Sequence, residues 1–223
     1  MPRRPPLVTP AQQQRSRDTH DSIVDAFRGL LANEAFDKIS VAQIAKRAGA
    51  SVGGVYARFA SKEAMLLPVI DDILGEMITA LDASLDAVSG PGESLVSVVS
   101  AYVFPMIAMF RRHRPVMAQL VRAARGDTAR ALGDRVHAFN VHAHGRFRAL
   151  AWEHRDEIGH PSARSAIEFA LFLGSASARE AILSANWRSY EMQPDDDTVA
   201  REISAAMVAY LRAAPKKAYK RKR

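Results

Sequence analysis

Between Ser40 and Leu66 the chain specifies two short helices with almost nothing between them, and few folds can absorb that arrangement. Ser40-Val41-Ala42-Gln43 has the spacing of a capping box, in which the Ser hydroxyl accepts from the backbone N–H three residues on and the Gln side chain reaches back. Val41, Ile44, Ala45 and Ala48 then fall on one helical face, and Gly49 ends the helix. Ser51 stands where it can cap another short helix, which carries Val55 and Phe59 one turn apart before Ala60-Ser61 interrupts it. Two helices of about two turns, joined by a Gly-containing turn of three or four residues, form a helix-turn-helix unit.

The flanking sequence is helical as well. Thr9 reads as an N-cap with Pro10 at the first helical position and Gln12 completing a box, so a first helix runs to about residue 33. Its Ile23, Ala26, Phe27, Leu30 and Leu31 form a stripe that needs the short helices as cover. Ser61 caps a fourth helix over about 62–88. After Ser89-Gly90-Pro91-Gly92 the periodicity predicts helices near 93–111, 114–125, 128–157, 161–187 and 195–213, with a kink or break at Pro105. Sustained apolar alternation and Asn-Gly or Asp-Gly hairpin turns are missing from the sequence. The expected fold is all-α, about nine helices, in three parts: an arm and helix-turn-helix domain over 1–62, a larger helical domain over 63–214, and a disordered basic tail over 215–223.

Charge follows the same division. Residues 1–62 carry ten Lys/Arg against five Asp/Glu, 63–215 fifteen against nineteen, and 216–223 six basic residues and no acid, so the overall +7 splits into +5, −4 and +6. A basic N-terminal piece on a mildly acidic body suits a nucleic-acid reader, although a solvated surface would look the same. The sequence has no cysteine, which removes disulfides, thiolate metal sites and thiol redox chemistry. It has no run of 18 apolar residues, and the opening MPRRPPLVTP lacks the apolar stretch of a signal peptide, so a cytoplasmic protein without a membrane partner is expected.

The stretch Ile39–Leu66 resembles the DNA-binding signature of the TetR family along its whole length. The matching residues are Ile39-Ser40-Val41, Ile44-Ala45, Ala48-Gly49, Ser51, Gly53, Val55-Tyr56, Phe59, Ser61-Lys62-Glu63 and Leu66. The resemblance implies a one-component transcriptional regulator that grips double-stranded DNA as a homodimer. The helix opened by Ser51 would lie in the major groove, and Val52, Gly53 and Gly54 would face the bases. Two adjacent glycines cost about 1 kcal/mol each in a helix. They either let the backbone sit close to DNA or serve packing against a neighbouring helix. Val52 is either a thymine-methyl contact or core, and Gln43 either pairs bidentately with adenine or reaches only a phosphate. The family often has polar residues where Val52 and Gly54 stand, so direct readout should be sparse, with DNA shape, water and flanking basic residues supplying more of the specificity. Tyr56, Arg58 and Lys62 match positions used mainly on the phosphate backbone, with a half-buried Tyr56 as the alternative. Arg3, Arg4, Arg15 and Arg17 are further phosphate or minor-groove candidates.

By the same resemblance the larger domain binds a small-molecule effector and dimerises. Ala170, Gly174 and Ala178, with Ile203, Met207 and Tyr210, would form an intersubunit four-helix bundle or pack within the chain. Phe104, Phe110, Phe139, Trp152 and Phe169 are candidate walls of a ligand pocket, and Arg179, beside Glu180 in an apolar segment, could orient a ligand or form a salt bridge. His137, His142 and His144 cannot share one metal on a regular helix, and Asp195-Asp196-Asp197 suits a helix N-terminus. The sequence carries neither a phosphate loop, a dinucleotide fingerprint, a GxSxG elbow nor an HExxH pair; enzyme, cofactor and metal are not expected. A ligand would shift the base of the fourth helix and spread the recognition helices, releasing a repressor from a (pseudo)palindromic operator. The alternative is an architectural protein that coats DNA without sequence preference, helped by the tail KKAYKRKR.

Overall fold

Ser40 does what its spacing requires. Its Oγ accepts from the Gln43 backbone N–H at 3.2 Å, and Gln43 Oε1 accepts from the Ser40 backbone N–H at 2.7 Å and from its hydroxyl at 2.8 Å. The computed structural model describes residues 10–184, 191 and 193–213, and there the protein is all-α. Its eight α-helices are α1 (Pro10–Leu31), α2 (Val41–Ala48), α3 (Val52–Tyr56), α4 (Leu66–Asp86), α5 (Leu95–Ala123), α6 (Gly126–Glu153), α7 (Ala163–Arg179) and α8 (Asp196–Arg212). Short 3₁₀ turns link several of them, and a π turn follows α7 over Glu180–Ser184. The expected Thr9 cap, the arm arginines Arg3 and Arg4 and the basic tail lie outside the described residues.

Eight helices stand where nine were expected because 93–111 and 114–125 are one continuous α5. Neither Pro105 nor Pro115 interrupts it. Each proline removes one i→i−4 hydrogen bond. Against that loss, Val98, Val99, Tyr102, Met106, Val116 and Leu120 are buried along its length, so splitting the helix would break a continuous apolar face. Leu95–Leu120 is long and apolar enough to cross a membrane, but half of that segment is buried in the protein, as in a core helix.

Packing divides the chain into two units. The first takes the chain through Asp72 together with Pro115–Gly133, and the second takes Ile73–Arg114 with the chain from Asp134. The division falls within α4, α5 and α6, beyond the boundary drawn at residue 62. In the first unit Ile23, Phe27, Leu30 and Leu31 of α1 are buried together with Ile44 and Ala45 of α2 and Val55 of α3. Phe36 meets Phe27 edge-on at 6.2 Å, and its backbone N–H donates to Gln119 Oε1 at 3.4 Å, one bond that ties 115–133 to this unit. Gly49 makes the turn between α2 and α3 possible, because its φ of 65° lies in the left-handed region.

In the second unit α7 packs on α8 through small residues. Ala166, Ala170 and Ala178 are buried, and a Cβ added to Gly174 would approach Met207 Sδ to 2.4 Å. Four of the residues expected at a dimer interface, Ala170, Gly174, Ala178 and Met207, are therefore used in packing within the chain. Gly174→Leu should overpack this contact and lower stability by about 1–3 kcal/mol, read by thermal denaturation.

Glu157 fastens three segments of the second unit. Its Oε1 accepts the free N–H of Leu95 at the start of α5 at 2.9 Å, and its Oε2 pairs with Arg212 near the end of α8. The Leu95 N–H, with help from Arg212 and His154, holds its pKa below the ordinary value of 4.5. A depressed carboxylate contributes stability above its unfolded pKa and loses it as pH falls through the folded value. The stability gap between wild type and Glu157→Gln should accordingly be widest at neutral pH and close below about pH 4.5, as chemical denaturation across pH would show.

Candidate nucleic-acid interface

The α3 helix is held by one face and free on the other. Val55 is buried, and Ser51 Oγ accepts from the Gly54 backbone N–H at 3.0 Å to close its N-terminus. Val52, one turn before Tyr56, is 43% exposed, and Tyr56 is 55% exposed, so neither is the core residue that the sequence left open. A Cβ on Gly53 would meet nothing within 4 Å, which leaves packing inside the chain without a reason for glycine at this position. Gly54 has a small internal reason: its Cβ would crowd Ser51 Oγ at 3.2 Å.

The capping geometry narrows what Gln43 can read. Bidentate recognition of adenine needs both the amide oxygen and the amide nitrogen. The oxygen is engaged by Ser40, which leaves Nε2 as the free end of the amide while the box is formed. Gln43 shares its helix face with Lys46, three residues on, and both are exposed. Lys46 was not among the sequence candidates, though its spacing from Gln43 is the signal that marks it. Arg15 and Arg17 are also exposed on α1.

Two expected phosphate donors turn inward. Lys62 Nζ donates to the Phe36 carbonyl at 2.8 Å and the Ile39 carbonyl at 2.9 Å, and sits 4.1 Å from the centre of the Phe36 ring. Arg58 Nη1 donates to the Gly54 carbonyl at 3.0 Å, and its Nε is buried without a partner. Both cations are spent on backbone oxygens near helix ends, where carbonyls are exposed and side chains are the nearest donors; the Phe36 carbonyl also accepts from the Ile39 backbone N–H at 3.2 Å. They brace this segment from within.

The pocket and interface candidates do not converge on one place. Phe110 and Arg179 line the same cavity between α5, α6 and α7, Phe139 is core, Phe104 opens onto clefts beside α8, and Trp152 lies in a groove with Arg148 and Arg164. Phe169 is 48% exposed and stacks 5.0 Å from Tyr210 and 5.9 Å from Phe172, which is 66% exposed. Ile203 and Tyr210 are half-buried. His142 Nε2 lies 3.0 Å from the Asp82 carboxylate and His144 Nε2 lies 3.2 Å from Ser175 Oγ; no metal-holding group of side chains occurs among the described residues. Asp195 caps α8 through the Thr198 N–H at 2.7 Å, and Asp196 takes a two-pronged grip from Arg111.

Because charge-assisted hydrogen bonds contribute more than neutral ones, Lys62→Gln should lower stability by about 1–3 kcal/mol in the absence of DNA. A lysine serving phosphate alone would leave the melting temperature unchanged.

Residues 23–69 match the model of the bacterial regulatory proteins of the TetR family. The chain is 26% identical over 95 residues to the fatty acid metabolism regulator protein of Bacillus subtilis, an alignment covering 43% of this chain and 48%, about half, of that relative. Among solved structures, the regulator FadR of Bacillus subtilis in complex with stearoyl-CoA superposes with a TM-score of 0.63 at 13% identity, over 86% of this chain and 98% of the other. NalD, the secondary repressor of the MexAB-OprM multidrug efflux pump in Pseudomonas aeruginosa, gives 0.61 at 19% identity, over 89% and 98%. These two likenesses bear on the fold. The family match is thus confined to residues 23–69, which resemble the corresponding segment of the bacterial regulatory proteins of the TetR family.

Proposed function

We propose that the protein is a sequence-specific repressor that binds a (pseudo)palindromic operator as a homodimer and leaves it when a small molecule binds. The observation that carries this reading is the free face of α3: Val52, Gly53 and Tyr56 are exposed with no internal task, on a helix whose other face is buried and braced. With glycine at 53 and 54 the backbone can approach the bases closely, Val52 offers a methyl surface to thymine, and Tyr56 offers its hydroxyl to a phosphate. So few hydrogen-bonding side chains leave much of the specificity to DNA shape and bridging water.

Dimerisation is supported by the aromatic cluster of Phe169, Phe172 and Tyr210 on α7 and α8. Large apolar groups gathered on a surface mark an interaction site more often than scattered ones do. Repression agrees with NalD, and an effector with an apolar portion agrees with the stearoyl-CoA bound to FadR. Release needs only differential affinity. A coupling of about 1–3 kcal/mol changes DNA affinity about 5- to 150-fold, and DNA must weaken the effector by the same factor.

Selection of bound sequences from a random duplex library at near-physiological salt should yield an inverted repeat, and the Tyr56→Ala protein should fail to enrich it. If wild type enriches no sequence while still binding DNA with a steep salt dependence, the architectural reading replaces this one.

A further inference from the structure

One cavity of about 270 Å³ in the second unit is bounded by Met106 and Phe110 on α5, Asn140 and His144 on α6, and Ser175 and Arg179 on α7. Its polar wall can be accounted for group by group. Ser175 Oγ lies 3.0 Å from the Tyr102 hydroxyl and 3.2 Å from His144 Nε2, so these three satisfy one another in a chain. Glu168, which also lines the cavity, is gripped by Arg148 through both Nε and Nη2. Burial, reinforced by Arg148, lowers the His144 pKa and favours the neutral ring, while burial holds Tyr102 as a phenol.

What remains unmatched is specific. The Asn140 amide and the Arg179 guanidinium have no hydrogen bond or ion pair with any described residue. Arg148 and Glu168 cancel, so the wall carries one uncompensated positive charge, on Arg179. That residue is the last of α7, immediately before the π turn Glu180–Ser184, a rare widening of the helix that recurs at functional sites. A guanidinium presents paired donors that match a carboxylate fork. The opposite wall, with Met106 and Phe110, takes an apolar body.

We propose that this cavity binds a small organic monoanion, a carboxylate on a compact apolar body, with Arg179 holding the carboxylate and Asn140 adding a second donor. The inference rests on the effector reading above and supplies its chemical class. The volume lies just below that of drug-sized ligand pockets, about 300–1,000 Å³, and one guanidinium matches one charge, so a free short acid fits where a nucleotide-bearing thioester does not.

The test is direct titration calorimetry of the full chain without DNA, using octanoate, the isosteric neutral octanamide, and stearoyl-CoA as probes. Wild type should bind octanoate at least about tenfold more tightly than octanamide, as expected for a charge-assisted pair. Arg179→Met should abolish that preference by weakening octanoate alone, and Arg179→Lys should restore part of it. Circular dichroism checks that the variants keep their helices; Arg179 is exposed, so its loss leaves no buried gap. Equal affinity for acid and amide, a preference that survives Arg179→Met, tighter binding of stearoyl-CoA that ignores the variant, or no binding of octanoate at millimolar concentration would each overturn the proposal. Since no DNA is present, these results stand apart from the operator selection.

Discussion

The ammonium of Lys62 closes the helix-turn-helix segment on itself. It stands ahead of α4, yet its two hydrogen bonds reach back to Phe36 and Ile39 in the connection between α1 and α2, so one side chain closes the loop of chain that contains α2 and α3. A five-residue helix such as α3 has too few internal hydrogen bonds to persist alone. It survives because Val55 is buried, Ser51 caps its first turn, and Arg58 satisfies Gly54 at its far end. Closure by Lys62 fixes the frame in which those small terms can act together.

The parts of this architecture written in local chemistry were legible in the sequence. Ser40 with Gln43, Ser51, Ser61 and Asp195 all bond the backbone N–H three residues on, and Gly49 takes the left-handed conformation that ends α2. Interactions between residues distant in sequence were not legible. Nothing local says that Lys62 turns toward Phe36 instead of toward solvent, or that Arg148 is claimed by Glu168 while Arg179 is left unmatched. The continuity of α5 through Pro105 and Pro115 has the same origin, since buried apolar faces on both sides override a local breaker. Small residues at Ala170, Gly174 and Ala178 announced close helix approach correctly, but composition cannot say whether the approaching helix belongs to the same chain.

Within the second unit, several charged groups are paired between helices. Asp82 and Asp86 on α4 are met by His142 and Arg146 on α6, and Arg111 on α5 by Asp196 on α8. A buried polar group left alone costs more than a paired one returns. The Asn140 amide and the Arg179 guanidinium at one cavity have no such partner among the described residues, and the ligand site proposed above is built on that difference.

The Gln43 carbonyl is bound into the α2 cap, whereas Val52 and Tyr56 are exposed on the open face of α3. This separation has an evolutionary consequence. Substitutions at 52 and 56 remove no internal contact, so on the reading proposed above preference at 52 and grip on phosphate at 56 can change without a cost in folding, while any change at 43 or 62 must first pass a test of stability.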